Sequence, residues 1–155
     1  MTDLANPLRI LIPEGSSTSA REAITILGLA GHHVEVCDPS PWCLARHSRF
    51  VRKFHRCPGL RRDPAGFLAF VEQLIANGRF DVLLPTHEQG FLFARMAHRF
   101  KDKIAVALPS FDSYRMAQGT ANLIQGQRDF FGAHGFELTD RPGEQHGTWP
   151  STIGK

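Results

Sequence analysis

The chain has 155 residues, 42% of them apolar and 21% charged, with a formal net charge of +3. That length suits one domain of roughly 100–150 residues with a proper core, and the balance excludes a disordered or low-complexity chain. No uncharged apolar run approaches the ~20 residues that a membrane span requires, and the opening MTDLANPLRI lacks secretory-signal organisation; the reading is a cytoplasmic protein without a membrane partner.

Taken in chain order, LRILIP (8–13) is a short apolar run ended by Pro13, Glu14 and Gly15, which predicts a buried strand and a turn. Ser19 and Glu22 have capping-box spacing. Ala20, Ala23, Ile24 and Leu27 then recur at helical spacing, and Gly31 supplies the stop. HVEVCDP (33–39) alternates Val34 and Val36 with Glu35 and Cys37, a second strand. A right-handed crossover makes these two strands parallel. Residues 40–62 suggest a short helix in SPWCLARHSRF and a short strand in VRKFHRC.

Asp63–Pro64 predicts an N-cap followed by proline in the first helical turn. Phe67, Phe70, Val71, Leu74 and Ile75 form one apolar stripe that Gly78 ends. FDVLLP (80–85) is the next strand. The helix after it is expected to bury Phe93, Met96, Ala97 and Phe100, and IAVALP (104–109) is a last strand. The alternation predicts an α/β, Rossmann-like three-layer domain, with a mostly parallel sheet of four to five strands and helices on both faces. Beyond Pro109 the periodicity weakens, and from Glu137 onward the sequence is polar and turn-rich. The expected organisation is an N-terminal extension (1–7), the domain (8–123), and a helix remnant with a mobile tail (124–155).

Charge and thiols add two points. Seven basic residues and no acid stand between Arg46 and Arg62; taking these seven from the eighteen leaves eleven against fifteen acids elsewhere. Such a stripe, with Phe50 and Phe54 interleaved, could follow a phosphate backbone, but no nucleic-acid motif accompanies it and a solvated connection is the preferred reading. Cys37, Cys43 and Cys57 are an odd count without C-x-x-C spacing, which suggests reduced thiols and no zinc site. His32 and His33 are neighbours on a strand and face opposite ways, so no metal is expected.

In parallel sheets, ligands sit where strand ends turn into helices. PEGSSTS (13–19) offers hydroxyls and a helix start to an anion, yet Gly15 stands alone where a dinucleotide fingerprint needs three glycines, and no P-loop lysine follows. PTHEQG (85–90) is the second such loop. Thr86 and Gln89 have capping-box spacing and Glu88 suits a helix start, which leaves His87 without a structural role. The residues alone leave both loops open between ligand binding and helix capping. No motif or carboxylate pair marks a catalytic residue.

Four stretches in order resemble the N-terminal, pre-ATP-grasp domain of ATP-grasp ligases of the carbamoyl-phosphate synthase and carboxylate–amine ligase kind. They are ILIPEGSSTSAREAITILGLAGHHVEVCDPS (10–40), SRFVRKFHRCP (48–58), FDVLLPTHEQGFLFAR (80–95) and IAVALPSFDSYRMAQGTANL (104–123). The resemblance implies that Glu14, Ser16 and Ser17, with Thr86, His87 and Glu88, line an acceptor pocket for a small carboxylate or amine substrate. It also implies ATP and Mg²⁺ for the full-length family. Thr120 stands about where that family has a phosphate-binding lysine, and the lysine strand, Gly-rich lid and Mg²⁺ ligands are missing from this sequence. The expectation is an isolated ligase domain, inactive and without a cofactor by itself. Its expected partners are an ATP-grasp catalytic domain or subunit, or a second copy in a homodimer. The alternatives are a stand-alone Rossmann-like module binding a nucleotide or small anion, and nucleic-acid binding through 46–62.

Overall fold

The computed structural model describes residues 6–108. Five strands form one sheet: β1 (Arg9–Ile12), β2 (His33–Asp38), β3 (Val51–Arg56), β4 (Val82–Leu83) and β5 (Ala105–Val106). The order is β3-β2-β1-β4-β5 and every pairing is parallel. The helices are α1 (Thr18–Leu29), α2 (Pro64–Asn77), α3 (Gln89–Arg95) and α4 (Ala97–Phe100), with a 3₁₀ turn at Leu44–His47. The α/β class and the parallel sheet are those the sequence predicts.

Handedness explains the layers. The chain steps from β1 to β2 in one direction along the sheet, and from β3 to β4 and β4 to β5 in the other. Right-handed crossovers then put α1 on one face and α2 to α4 on the opposite face. The side chains agree. Ile10, Ile12, Val34 and Val36 pack with Ala20 and Ile24 of α1. Leu11, Cys37 and Leu83, at the alternate positions, are fully buried on the other side. Phe67 of α2 meets Phe93 of α3 at a centroid separation of 6.0 Å, and Phe93 meets Phe100 of α4 edge-on at 5.4 Å. Each of these rings is worth roughly 1.5–3 kcal/mol in burial alone.

Local chemistry sets the helix ends, with one correction. Asp63 caps α2 by accepting from the Gly66 N–H at 2.8 Å, as its sequence predicts. The cap of α1 is Ser17, whose Oγ accepts from the Ala20 N–H at 3.0 Å. Ser19, expected in a capping box with Glu22, lies inside the helix instead, because the hydroxyl two residues earlier reaches the orphan N–H first. Gly31 closes the α1 exit with φ of 86°. The helix expected as one piece after β4 is broken at Met96, and Ala97 is exposed on α4. In the region 40–62 the suggested short helix is a single 3₁₀ turn, and the suggested short strand is the edge strand β3.

Candidate functional site

The carboxyl ends of β1, β2 and β3 and the loop after β4 surround a cleft of about 660 Å³, within the usual range for small-molecule sites. It lies where the chain leaves β1 in one direction and β4 in the other, the switch point at which parallel sheets hold ligands.

Two buried carboxylates form its floor. Asp38 ends β2 and is 2% exposed. It accepts from the Gly15 N–H and the Ser16 hydroxyl, each at 2.9 Å, and from the Ser40 N–H at 2.8 Å. Glu14, also buried, accepts from the Ser17 backbone N–H at 3.2 Å, from the Ser17 hydroxyl, and from Thr86 Oγ1 at 3.4 Å. An internal anion therefore occupies the N-terminus of α1, where an external phosphate would otherwise find free N–H groups. The backbone is equally committed. A Cβ on Gly15 would stand 2.9 Å from both Cys43 Sγ and Val36 Cγ1, which holds the loop against β2 and the 3₁₀ turn.

The rim is cationic. Arg61 forks onto Glu88, with Nε to Oε1 at 3.2 Å and a second nitrogen to Oε2 at 3.0 Å. Those hydrogen bonds, followed by the carboxylate's charge, raise the guanidinium's pKa. Arg56 and Arg62 also line the cleft, and neither side chain makes a hydrogen bond or ion pair among the described residues. Gln89, only 9% exposed, lines it too, and its Oε1 has no hydrogen-bond partner among the described residues.

The six substrate-side candidates divide as follows. Glu14, Ser16 and Glu88 line the cleft. Ser17 and Thr86 hold the Glu14 carboxylate. His87 is exposed, and its carbonyl accepts from the Gly90 N–H at 2.9 Å. Thr120 lies outside the described residues. Thr86 and Gln89 do not form a capping box: α3 starts after Glu88 without a side-chain cap. The cleft residues that reading the sequence missed are Arg56, Arg62 and Gln89. The strand-end rule points to Arg56, but a basic run disguised it as surface charge.

The basic stretch does not form a stacking platform. Phe54 belongs to the cluster on the α1 face, and Phe50 lies against Gly28. Arg46 and Arg49 cover these same two rings at 5.3 and 4.8 Å. Among the described residues there is no group of three or more His, Cys, Asp or Glu side chains able to hold a metal ion, and no helix is long and apolar enough to cross a membrane.

Residues 94–149 match the family model of the 6-phosphogluconate dehydrogenase C-terminal domain. Over its C-terminal part, the chain is similar to 6-phosphogluconate dehydrogenases. It is 54% identical over 46 residues to the chloroplastic decarboxylating 6-phosphogluconate dehydrogenase 3 of Arabidopsis thaliana, which is 30% of this chain and 9% of that one. It is 58% identical over 43 residues to the NADP(+)-dependent decarboxylating enzyme of Bacillus subtilis, and 48% over 46 residues to the NAD(+)-dependent enzyme of the same organism. The stretches cover 28% and 30% of this chain and 9% and 10% of those enzymes. The chain thus spans about a tenth of the length of these relatives.

These findings overturn the ligase resemblance, with the isolated-ligase-domain function and the ATP and Mg²⁺ it implied; the relatives are 6-phosphogluconate dehydrogenases, and the two of Bacillus subtilis are named as NADP(+)- and NAD(+)-dependent. The physical reason for the error is that its four stretches were strand–loop–helix signals. A small-residue loop after β1 and an acidic helix start after β4 serve any parallel sheet, so they carry fold without function. One of the four, 104–123, lies inside the matched segment.

Proposed function

We propose that this chain contributes the C-terminal segment of a 6-phosphogluconate dehydrogenase-like protein, joined to an α/β domain that does not itself form the dinucleotide site. The observation carrying the first part is the 48–58% identity over 43–46 residues to enzymes named for that activity. In this reading 6-phosphogluconate and NADP(+) or NAD(+) are ligands of the whole enzyme, and the protein works in the cytoplasm.

The described residues do not fit the dinucleotide at the β1–α1 crossover. Glu14 places a carboxylate where the pyrophosphate would meet the helix N-terminus, and Asp38, at the end of β2 where an acid would bind a ribose hydroxyl, already accepts three hydrogen bonds. No hydride-transfer step is assigned to this domain.

A segment exchange tests the proposal. The matching stretch of the Bacillus subtilis NADP(+)-dependent enzyme is replaced by the corresponding part of residues 94–149, and NADPH formation from 6-phosphogluconate is followed. Activity within about tenfold of the parent, a loss below ~1.4 kcal/mol, is expected. A chimera that folds and assembles like the parent but is inactive would sink the proposal.

A second reading, a stand-alone module for a nucleotide or small anion, draws support from the cleft, where two arginine side chains and the Gln89 acceptor have no partner among the described residues.

A further inference from the structure

We infer that the cleft between β1, β3 and the loop after β4 is a binding site for a small hydroxylated phosphate monoester, held by Arg56 and Arg62 through its phosphate and by Gln89 through a hydroxyl. Every residue invoked lies between Pro13 and Gln89, outside the segment matched at 94–149. The inference therefore stands or falls apart from the dehydrogenase reading.

Three observations support it. First, Gln89 is more than nine-tenths buried and lines the cleft with an acceptor oxygen that no described group satisfies. Native interiors rarely leave such an atom bare, and a donor arriving from the cleft completes it. Second, the other buried polar groups of the floor are already satisfied. Asp38 and Glu14 hold Gly15, Ser16, Ser17, Ser40 and Thr86, so they shape the floor and exclude an anion from it. Third, the cations at the mouth are unequal. Arg61 is neutralised by Glu88, whereas Arg56 and Arg62 have no acidic partner among the described residues.

Two guanidinium groups with no ion-pair partner among the described residues suit the nearly double negative charge of a phosphate monoester at pH 7, and their planar donor forks suit its oxygens. The negative floor and positive mouth fix the direction of entry: phosphate outward, hydroxyl inward to Gln89. The cavity of about 660 Å³ admits a ligand of this size with its ordered water.

Calorimetry on the full chain, with glycerol 3-phosphate as probe and glycerol and inorganic phosphate as controls, decides the matter. Saturable binding of glycerol 3-phosphate is expected, with inorganic phosphate weaker and glycerol silent. Arg56→Gln and Arg62→Gln change exposed side chains, and each should weaken binding at least about tenfold and reduce its salt dependence. Gln89→Met should weaken binding similarly while leaving the melting temperature of the free protein unchanged or higher, because it removes a buried acceptor that lacks a donor. That combination separates a ligand contact from a structural one. Absence of saturable heat with glycerol 3-phosphate would overturn the inference. So would unchanged affinity in the Arg56→Gln, Arg62→Gln double variant, or inorganic phosphate binding as tightly as glycerol 3-phosphate.

Discussion

Thr86 donates its hydroxyl to Glu14 across 3.4 Å, joining two strand-end loops that stand 72 positions apart in the chain. Glu14 in turn accepts from the Ser17 N–H, so one carboxylate braces the loop after β4 and closes the start of α1. The helix macrodipole favours a negative charge at that place. Glu14→Gln keeps the size but loses the charge, and turns an N–H group toward donors that need an acceptor. It should lower stability by about 1–3 kcal/mol, read as a reduced urea midpoint at unchanged slope. A variant as stable as the parent would show that the carboxylate does not organise these loops.

Two glycines are fixed by neighbours rather than by backbone dihedrals. A Cβ on Gly28 would lie 2.4 Å from the Phe50 ring and 2.5 Å from Phe50 Cβ. Ring rotation cannot relieve a clash with Cβ. Gly28→Ala therefore loses more in overpacking, ~1–3 kcal/mol, than the ~1 kcal/mol it gains in helix propensity. Gly15→Ala meets Cys43, Val36 and Ala45 at 2.9–3.0 Å, a milder overlap, and should be the less damaging of the two. Thermal melts of both variants check the order; a higher melting temperature for Gly28→Ala would mean that Phe50 is loosely held.

The buried thiols give the domain an alkaline limit. Hydrogen bonding to the Cys57 thiol, followed by burial, pushes Cys37 well above the ordinary thiol value of 9.0, and burial also raises Cys43. The unfolded chain releases these protons at lower pH than the folded one. The stabilisation is therefore complete below 9.0 and is lost as pH climbs from there toward the folded-state values, at up to about 1.4 kcal/mol per pH unit for each thiol. Urea titrations across this range should show falling stability, with a shallower decline in Cys37→Ala. Identical slopes for parent and variant would refute the assignment to Cys37.

The fold was legible because its signals are local. Asp63–Pro64 and the Phe67, Val71, Ile75 stripe predict α2 from propensity and periodicity alone; apolar runs predict β1, β4 and β5, alternation predicts β2, and the basic VRKFHRC stretch only suggests β3. The strand order follows from handedness only after the faces are known. The site was less legible. Ser16 and Ser17 look available to a ligand in the sequence, and the partners that engage them, Asp38 and Glu14, become visible only when β2 lies beside β1. Gln89 reads as half of a capping box, and nothing local reveals that its amide is buried in a cleft wall. From 109 onward the hydrophobic spacing weakens, so periodicity gives no reading there. The dehydrogenase likeness resides in residue identities, which hydrophobic spacing does not register.

Arg99 and Glu72 join α4 to α2 through two parallel hydrogen bonds of 2.7 Å, with both side chains about one-fifth exposed. Because α4 has only four residues, its own hydrogen bonds cannot hold it; Phe100 and this ion pair dock it. Partial burial limits solvent screening but also costs desolvation, so the pair's worth lies in its geometry. A double-mutant cycle with Glu72→Gln and Arg99→Met should return a coupling energy of about 1–2 kcal/mol, above the 0.2–1 kcal/mol typical of exposed pairs. Coupling near zero would leave Phe100 as the anchor. In that case Phe100→Ala should release α4 and β5 together, seen as loss of hydrogen-exchange protection at Ala105 and Ala107, whose N–H groups bond to Asp81 and Leu83.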